Sequence, residues 1–281
     1  MSVSEIWLNK SISSFEKGSN YQGIKEFNSS LARIIESNEF DKLEFFFSKI
    51  IPLLNNKSLY HEAEQIIEYY FSHLKKHKVI SNGFFPIITI IFNYVSNESY
   101  STIMLHIFTK MSDFVIQNTD DQLIDFLSEN YENYLEKINN DKVNRLIKQE
   151  FFRIFVFAQR FTLAHKVAYP NFTKHIETID EITYAMYSIL NYAIHANISA
   201  VTPDLQSIRK NLPIEFQKEE IFLFCSDLLL AASGKDVDWF FELQSYYGHL
   251  LKKQLLRFLV FNLSKTYFPD SNKTSIFDLL R

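Results

Sequence analysis

The stretch SLYHEAEQIIEYYFSHLKKHK, Ser58 to Lys78, decides the fold class. Ala63, Ile66, Ile67, Tyr70, Phe71 and Leu74 recur at helical spacing and so share one face of an α-helix. Glu64, Glu68 and Lys75 fall outside that face. The closing run Lys75, Lys76, His77, Lys78 suits a helix C-terminus, where cations complement the partial negative charge of the last carbonyls. Polar breaks at Asn55-Asn56-Lys57 and Ser81-Asn82-Gly83 bound the stretch, which reads as the second helix of a helical hairpin.

Working outward, similar breaks stand near Gly18-Ser19-Asn20, Ser37-Asn38, Ser96-Asn97, Asn118-Thr119 and Asn139-Asn140. Further ones follow at Glu177-Thr178, Thr202-Pro203, Pro213 and Gly234. They recur roughly every 20 residues, one helix plus a short loop, so two helices make a repeat of about 40. Capping boxes are expected at Ser2…Glu5, Ser19…Gln22, Thr119…Gln122 and Thr178…Glu181, and Thr202-Pro203 is expected to open a helix. After Thr178, Ile182, Met186, Ile189, Leu190 and Ala193 again share a face. No stretch shows strand alternation between turn residues. The expected fold is an all-α, right-handed α-solenoid of antiparallel helical hairpins, TPR- or HEAT-like, with about 13 or 14 helices. It is expected to fill residues 1–268 as a single domain. Pro269 stops the last helix, and residues 269–281 form a tail with a short apolar segment.

Composition agrees with helices. Five Gly and six Pro in 281 residues are too few for the turns of a large sheet protein. The 28 Phe and 15 Tyr must mostly fill gaps between stacked helices, with a minority, in EFFFSKI (Glu44–Ile50) or DWFFEL (Asp238–Leu243), open to a partner. A net charge of -4 gives no broad attraction to nucleic acid. The single Cys225 excludes an intramolecular disulfide or a cysteine metal site. FFPIITIIFNYV, Phe84 to Val95, is too short to span a membrane and reads as a helix buried on most sides. The N-terminus lacks the order of a signal peptide, so a cytoplasmic location is expected.

Candidate chemistry is sparse. DDQLID (Asp120–Asp125), with NDKVNRLIKQE (Asn140–Glu150) after it, distantly evokes the paired acidic helices with which all-α isoprenoid synthases hold magnesium. The second patch offers Asn140, Asn144 and Lys148, and the lysine would repel the ion; Asp120 and Asp121 serve better as first-turn acids under a Thr119 cap. His73 and His77 have zinc-like i, i+4 spacing, but the intervening Leu-Lys-Lys supplies no base and the neighbouring cations disfavour a dication, so a chance pair near a helix end is the expected reading. The remaining histidines, His61, His106, His165, His175, His195 and His249, are scattered along the chain. No phosphate loop or nucleophile elbow occurs. No cofactor and no catalytic residue are expected. In the tail, Ile276, Phe277, Leu279 and Leu280 either cap the final hairpin or dock a partner as a short amphipathic anchor.

From Ile221 onward, Leu228-Leu229-Leu230, then Phe241, Leu243 and Tyr247, then Tyr267-Phe268, form a pattern. It resembles the C-terminal helices of the fourth subunit of the guided-entry-of-tail-anchored-proteins pathway, a TPR-like α-solenoid. SLYHEAEQIIEYYFSHLKKH is similar to that family's early repeat. Ser264 and Pro269 depart from the pattern, standing where the family often has glycines. The resemblance implies an adaptor between a targeting ATPase and a ubiquitin-like or chaperone-associated factor, and it carries over no binding residue. The expected function is thus non-enzymatic protein–protein contact, in tail-anchored protein targeting or membrane trafficking. The alternatives are a metal-dependent lipid enzyme and a peptide-binding helical-repeat sensor.

Overall fold

The computed structural model describes residues 2–95, 101–118, 121–168 and 178–270. These hold fourteen α-helices and no strand. The chain divides into two compact units between Glu150 and Phe151.

The first unit contains α1 (Val3–Glu16), α2 (Asn20–Ser37), α3 (Leu43–Asn56), α4 (Tyr60–His77), α5 (Ile80–Val95), α6 (Ser101–Asn118) and α7 (Asp121–Glu136). It also takes the first part of α8 (Asp141–Phe157). Its hairpins stack in two layers. Helices α1, α3, α5 and α7 pack in succession, and so do α2, α4 and α6.

Backbone geometry sets the repeat. Gly18, Asn38, Ser58 and Lys78 are all left-handed, with φ of 77°, 55°, 54° and 58°. They stand 20 residues apart and end the first four helices. After each, the next N–H returns to a carbonyl one turn inside the helix, as Glu39 N–H does to Ile34 O and Val79 N–H to Leu74 O. Buried positions follow the same 40-residue step. Gly23, Glu26, Phe27, Ser30, Leu31 and Ile34 of α2 superpose in register on Ala63, Ile66, Ile67, Tyr70, Phe71 and Leu74 of α4. Glu26 occupies an apolar slot, and Ser14 Oγ and Gln22 Nε2 both donate to its carboxylate. Aromatic rings fill the gaps between packed helices as expected: Phe27 to Phe47 at 5.8 Å, Phe71 to Phe114 at 4.5 Å, Phe85 to Phe126 at 4.3 Å and Phe92 to Tyr134 at 4.1 Å.

The second unit takes the rest of α8, then α9 (Phe161–Ala168), α10 (Ile179–His195), α11 (Ile198–Asn211), α12 (Glu220–Gly234), α13 (Val237–Tyr246) and α14 (Gln254–Tyr267). Here one helix is central. Ala185 to Asn191 of α10 are buried without a break, because α9, α11, α12 and α14 all pack on it. Asn191 Nδ2 donates to Phe161 O at the start of α9, and Tyr267 Oη of α14 donates to Ala193 O. The helix stops at Tyr267 just ahead of Pro269, as expected.

Several expected boundaries hold and several move. Capping boxes form at Ser2/Glu5 and Thr178/Glu181. Ser19 is an N-cap residue without a side-chain cap bond, and the Gln22 side chain that would complete the box donates to Glu26 instead. Thr119 lies outside the described residues. Ser81-Asn82-Gly83 is not a loop but the first turn of α5. Gly83 serves close packing: Tyr70 Oη donates to its carbonyl, and a Cβ there would meet Tyr70 Oη at 2.9 Å and the Leu74 side chain closer still. Pro203 lies inside α11, which begins earlier because Asn197 Oδ1 accepts from Ser199 N–H and Ala200 N–H. Helix α5 is buried at Phe84, Ile87, Ile88, Ile90, Ile91 and Phe92, with Asn82, Thr89 and Asn93 on an exposed line.

Candidate functional site

Among the described residues, the acidic patch does not come together as a cluster of metal-ligand type. Asp120 lies outside the described residues, while Asp121 and Asp125 are exposed on α7. Asn140 Oδ1 accepts from Val143 N–H to cap α8, and Asn144 Nδ2 donates to Leu135 O at the end of α7. Both asparagines are therefore tied to helix ends. Cys225 is fully buried, and burial drives its thiol pKa far upward, so it stays a protonated core residue and not a nucleophile.

The histidines are less scattered than their sequence positions. Glu64 of α4 bonds His106 of α6 at 2.6 Å and His61 at 3.2 Å. Burial would raise the Glu64 pKa, but those two bonds outweigh it and hold the carboxyl below its usual range. Tyr60 stacks on His106 at 5.4 Å. One turn further on, Glu68 accepts from Lys110 Nζ at 2.7 Å, and on the preceding pair Asn20 Nδ2 donates to Glu62 at 3.1 Å. Lys57 Nζ caps the end of α1 through Phe15 O and Glu16 O. Each of these inter-helix contacts spans 41 or 42 residues, about one hairpin. The α2–α4–α6 face carries a ladder of polar contacts between successive hairpins. Between α4 and α6 it opens into a shallow groove of about 390 Å³ walled by Glu68, Ser72, Lys75, Lys110, Asp113 and Gln117. Elsewhere in this unit, His73 and His77 lie beside Glu36 of α2. Local spacing along the chain gave no hint of that third residue.

The second unit presents a different surface. Asp236 Oδ1 accepts from Trp239 N–H and starts α13. The helix then buries Phe240 and Leu243, leaving Trp239 37% and Tyr246 78% exposed. These two, with Asp238, Phe241, Glu242 and Ser245, line an open groove of about 710 Å³. Trp239 and Tyr246 are seven residues apart, two turns along one face. Leu230 of α12 and Ile214 are also exposed. Of the sequence pattern around α12–α14, Leu228, Leu229, Leu243 and Tyr247 are core, and Phe224 packs on Tyr247 at 5.1 Å. The aromatic run DWFFEL thus splits between core and surface, with Phe240 inside and Trp239 out.

Ile276, Phe277, Leu279 and Leu280 lie outside the described residues, as does His175. Among the described residues no helix is long and apolar enough to cross a membrane. No family profile matches the chain, and no curated protein matches it.

Proposed function

We propose that the protein is a non-enzymatic helical-repeat adaptor that grips a segment of a partner protein in the groove of α13. The observation that carries this reading is the pair of solvent-open aromatics, Trp239 and Tyr246, set two turns apart over that groove. Large aromatic side chains of this kind supply much of the energy of protein interfaces, because they bury wide area with few rotatable bonds. Asp238 and Glu242 on the rim favour a partner segment that flanks an apolar anchor with basic residues. The resemblance of the C-terminal quarter to the guided-entry subunit supports a place in tail-anchored protein targeting in the cytoplasm. The partner would then be a targeting ATPase or a ubiquitin-like or chaperone-associated factor.

The test is affinity capture from native extract with the full chain and its Trp239→Ala/Tyr246→Ala variant. We expect the principal partner to be lost by at least about tenfold in the variant, with thermal stability unchanged. A positive charge introduced on the other unit, Gln65→Lys, should leave capture intact. Retention of the partner by the double variant would contradict the proposal. So would turnover of an allylic diphosphate with magnesium that Asp121→Ala abolishes.

A further inference from the structure

Glu36 stands in the last turn of α2, and His73 and His77 in the last two turns of the neighbouring α4. One ligand-type atom from each lies within 4.8 Å of the other two. We propose that these three side chains form a binding site for a divalent transition ion of the zinc class, held by two imidazoles and a carboxylate between the first two hairpins.

The donor set is chemically right. Two nitrogens and one carboxylate oxygen are a common zinc complement that leaves a fourth position for water or a partner's side chain. A tetrahedral ion with bonds near 2.0–2.1 Å sets its ligand atoms about 3.3 Å apart, so closure needs only a small contraction of surface side chains. The rings are already together, with centroids 4.5 Å apart, and Tyr69 stacks on His73 at 5.5 Å to hold its plane. His73 Nε2 is shielded from solvent and has no hydrogen-bond partner, so that ring carries an unsatisfied polar atom. Burial first, then the neighbouring His77 and Lys76, lower the His73 pKa against the opposing pull of Glu36.

The nearby lysines oppose a dication, and Arg33, ion-paired with Glu36 at 3.4 Å on the surface, competes with the ion for that carboxylate. Lys75 lines the groove toward α6, on the other side of α4 from α2. Lys76 and Lys78 are exposed on long flexible stems that can extend into solvent. Against them stand the Glu36 carboxylate and the C-terminal partial charges of two adjacent helices. Once bound, the ion would staple α2 to α4 at their ends.

The experiment is a titration of the untagged full chain with Zn²⁺ by calorimetry, and with Co²⁺ by its visible absorption, which reports a four-coordinate site. We expect one ion per chain with a dissociation constant on the order of micromolar. His73→Ala and His77→Ala should each weaken binding by at least about tenfold, and Glu36→Gln by about tenfold. His106→Ala removes the other histidine–glutamate cluster and should change nothing. All four substitutions are at partly or fully exposed side chains, and circular dichroism of the metal-free variants checks that each remains folded. Absence of stoichiometric binding would overturn the proposal, as would binding that survives in the His73→Ala/His77→Ala variant or disappears only with His106→Ala.

Discussion

The two units of this chain bury their helices by different rules. In the first, no helix is central: each hairpin covers its neighbour, and the polar side chains left over on α2, α4 and α6 pair with those of the next hairpin. In the second, α10 is enclosed by four other helices, and α13 is left with an aromatic groove open to solvent. An array spreads its stability over nearest-neighbour interfaces, whereas a hub concentrates it in one element. The same contrast holds at the surface. Polar rungs that pair with one another have less to offer a partner, while exposed Trp239 and Tyr246 gain free energy when something covers them.

That comparison can be broken most directly in the cores. Leu190→Ala on α10 should cost about 3–5 kcal/mol, and Ile67→Ala on α4 about 2–4 kcal/mol. The extent of the damage separates them. Hydrogen exchange should quicken through α9, α11, α12 and α14 for Leu190→Ala, but stay within α2 to α6 for Ile67→Ala. Identical spread in both units would show that the distinction between array and hub has no energetic content.

A smaller effect tests the array's close packing. A Cβ on Gly23 would meet the Phe15 ring at 2.8 Å, and that ring is fully buried, so it has little room to give. Gly23→Ala should therefore destabilise by about 1–3 kcal/mol in a chemical denaturation, despite alanine's better helix propensity. A stabilised variant would mean that α1 and α2 are less tightly fitted than their geometry implies.

Weaker still, and of opposite sign, are the left-handed helix ends. Lys78 in the first unit and Lys235 in the second both carry positive φ, at 58° and 53°. Lys78→Gly and Lys235→Gly should each stabilise by about 0.5–1 kcal/mol, read from denaturation midpoints. Destabilisation at Lys78 alone would assign that side chain a role beyond ending α4.

The smallest expected effect is common to both units. His73, near His77, Lys76 and Glu36, and His165, near His195 and Asp204, have pKa values lowered chiefly by burial. Each therefore takes up a proton more readily when unfolded. Their contribution to stability is complete above the ordinary imidazole value of about 6.5 and is lost as pH falls from there through the lowered folded-state value. Glu64 acts lower: its depressed pKa gives stability above the carboxylate range that disappears on further acidification. Melting temperature should fall by about one degree between pH 7.5 and pH 5.5. A rise would reverse the assigned signs.

The helical fold was legible because it is written in local spacing. The Ala63-to-Leu74 face and the Thr178 cap lie within a few turns of sequence, and both stand as read. Ser81-Asn82-Gly83 and Thr202-Pro203 misled because loop-type residues also serve inside helices, Gly83 where two helices touch and Pro203 in a helix already begun at Asn197. Glu36 was invisible beside His73 and His77 because its proximity is set by the 40-residue register and not by neighbouring positions. The register itself could have found it: Glu36 aligns with Lys76, between the two histidines. The division of DWFFEL into buried Phe240 and exposed Trp239 depends on which face α12 covers, and composition carries no record of that.

The central claim is that function resides in contact at α13. Site-specific photocrosslinking of the full chain in its native cell tests it most directly, with the probe at Glu242 and, for comparison, at Gln65 on α4. The account predicts one dominant protein adduct from position 242, abolished by Trp239→Ala/Tyr246→Ala, and none of comparable yield from position 65. A dominant adduct from position 65, with nothing from 242, would contradict it.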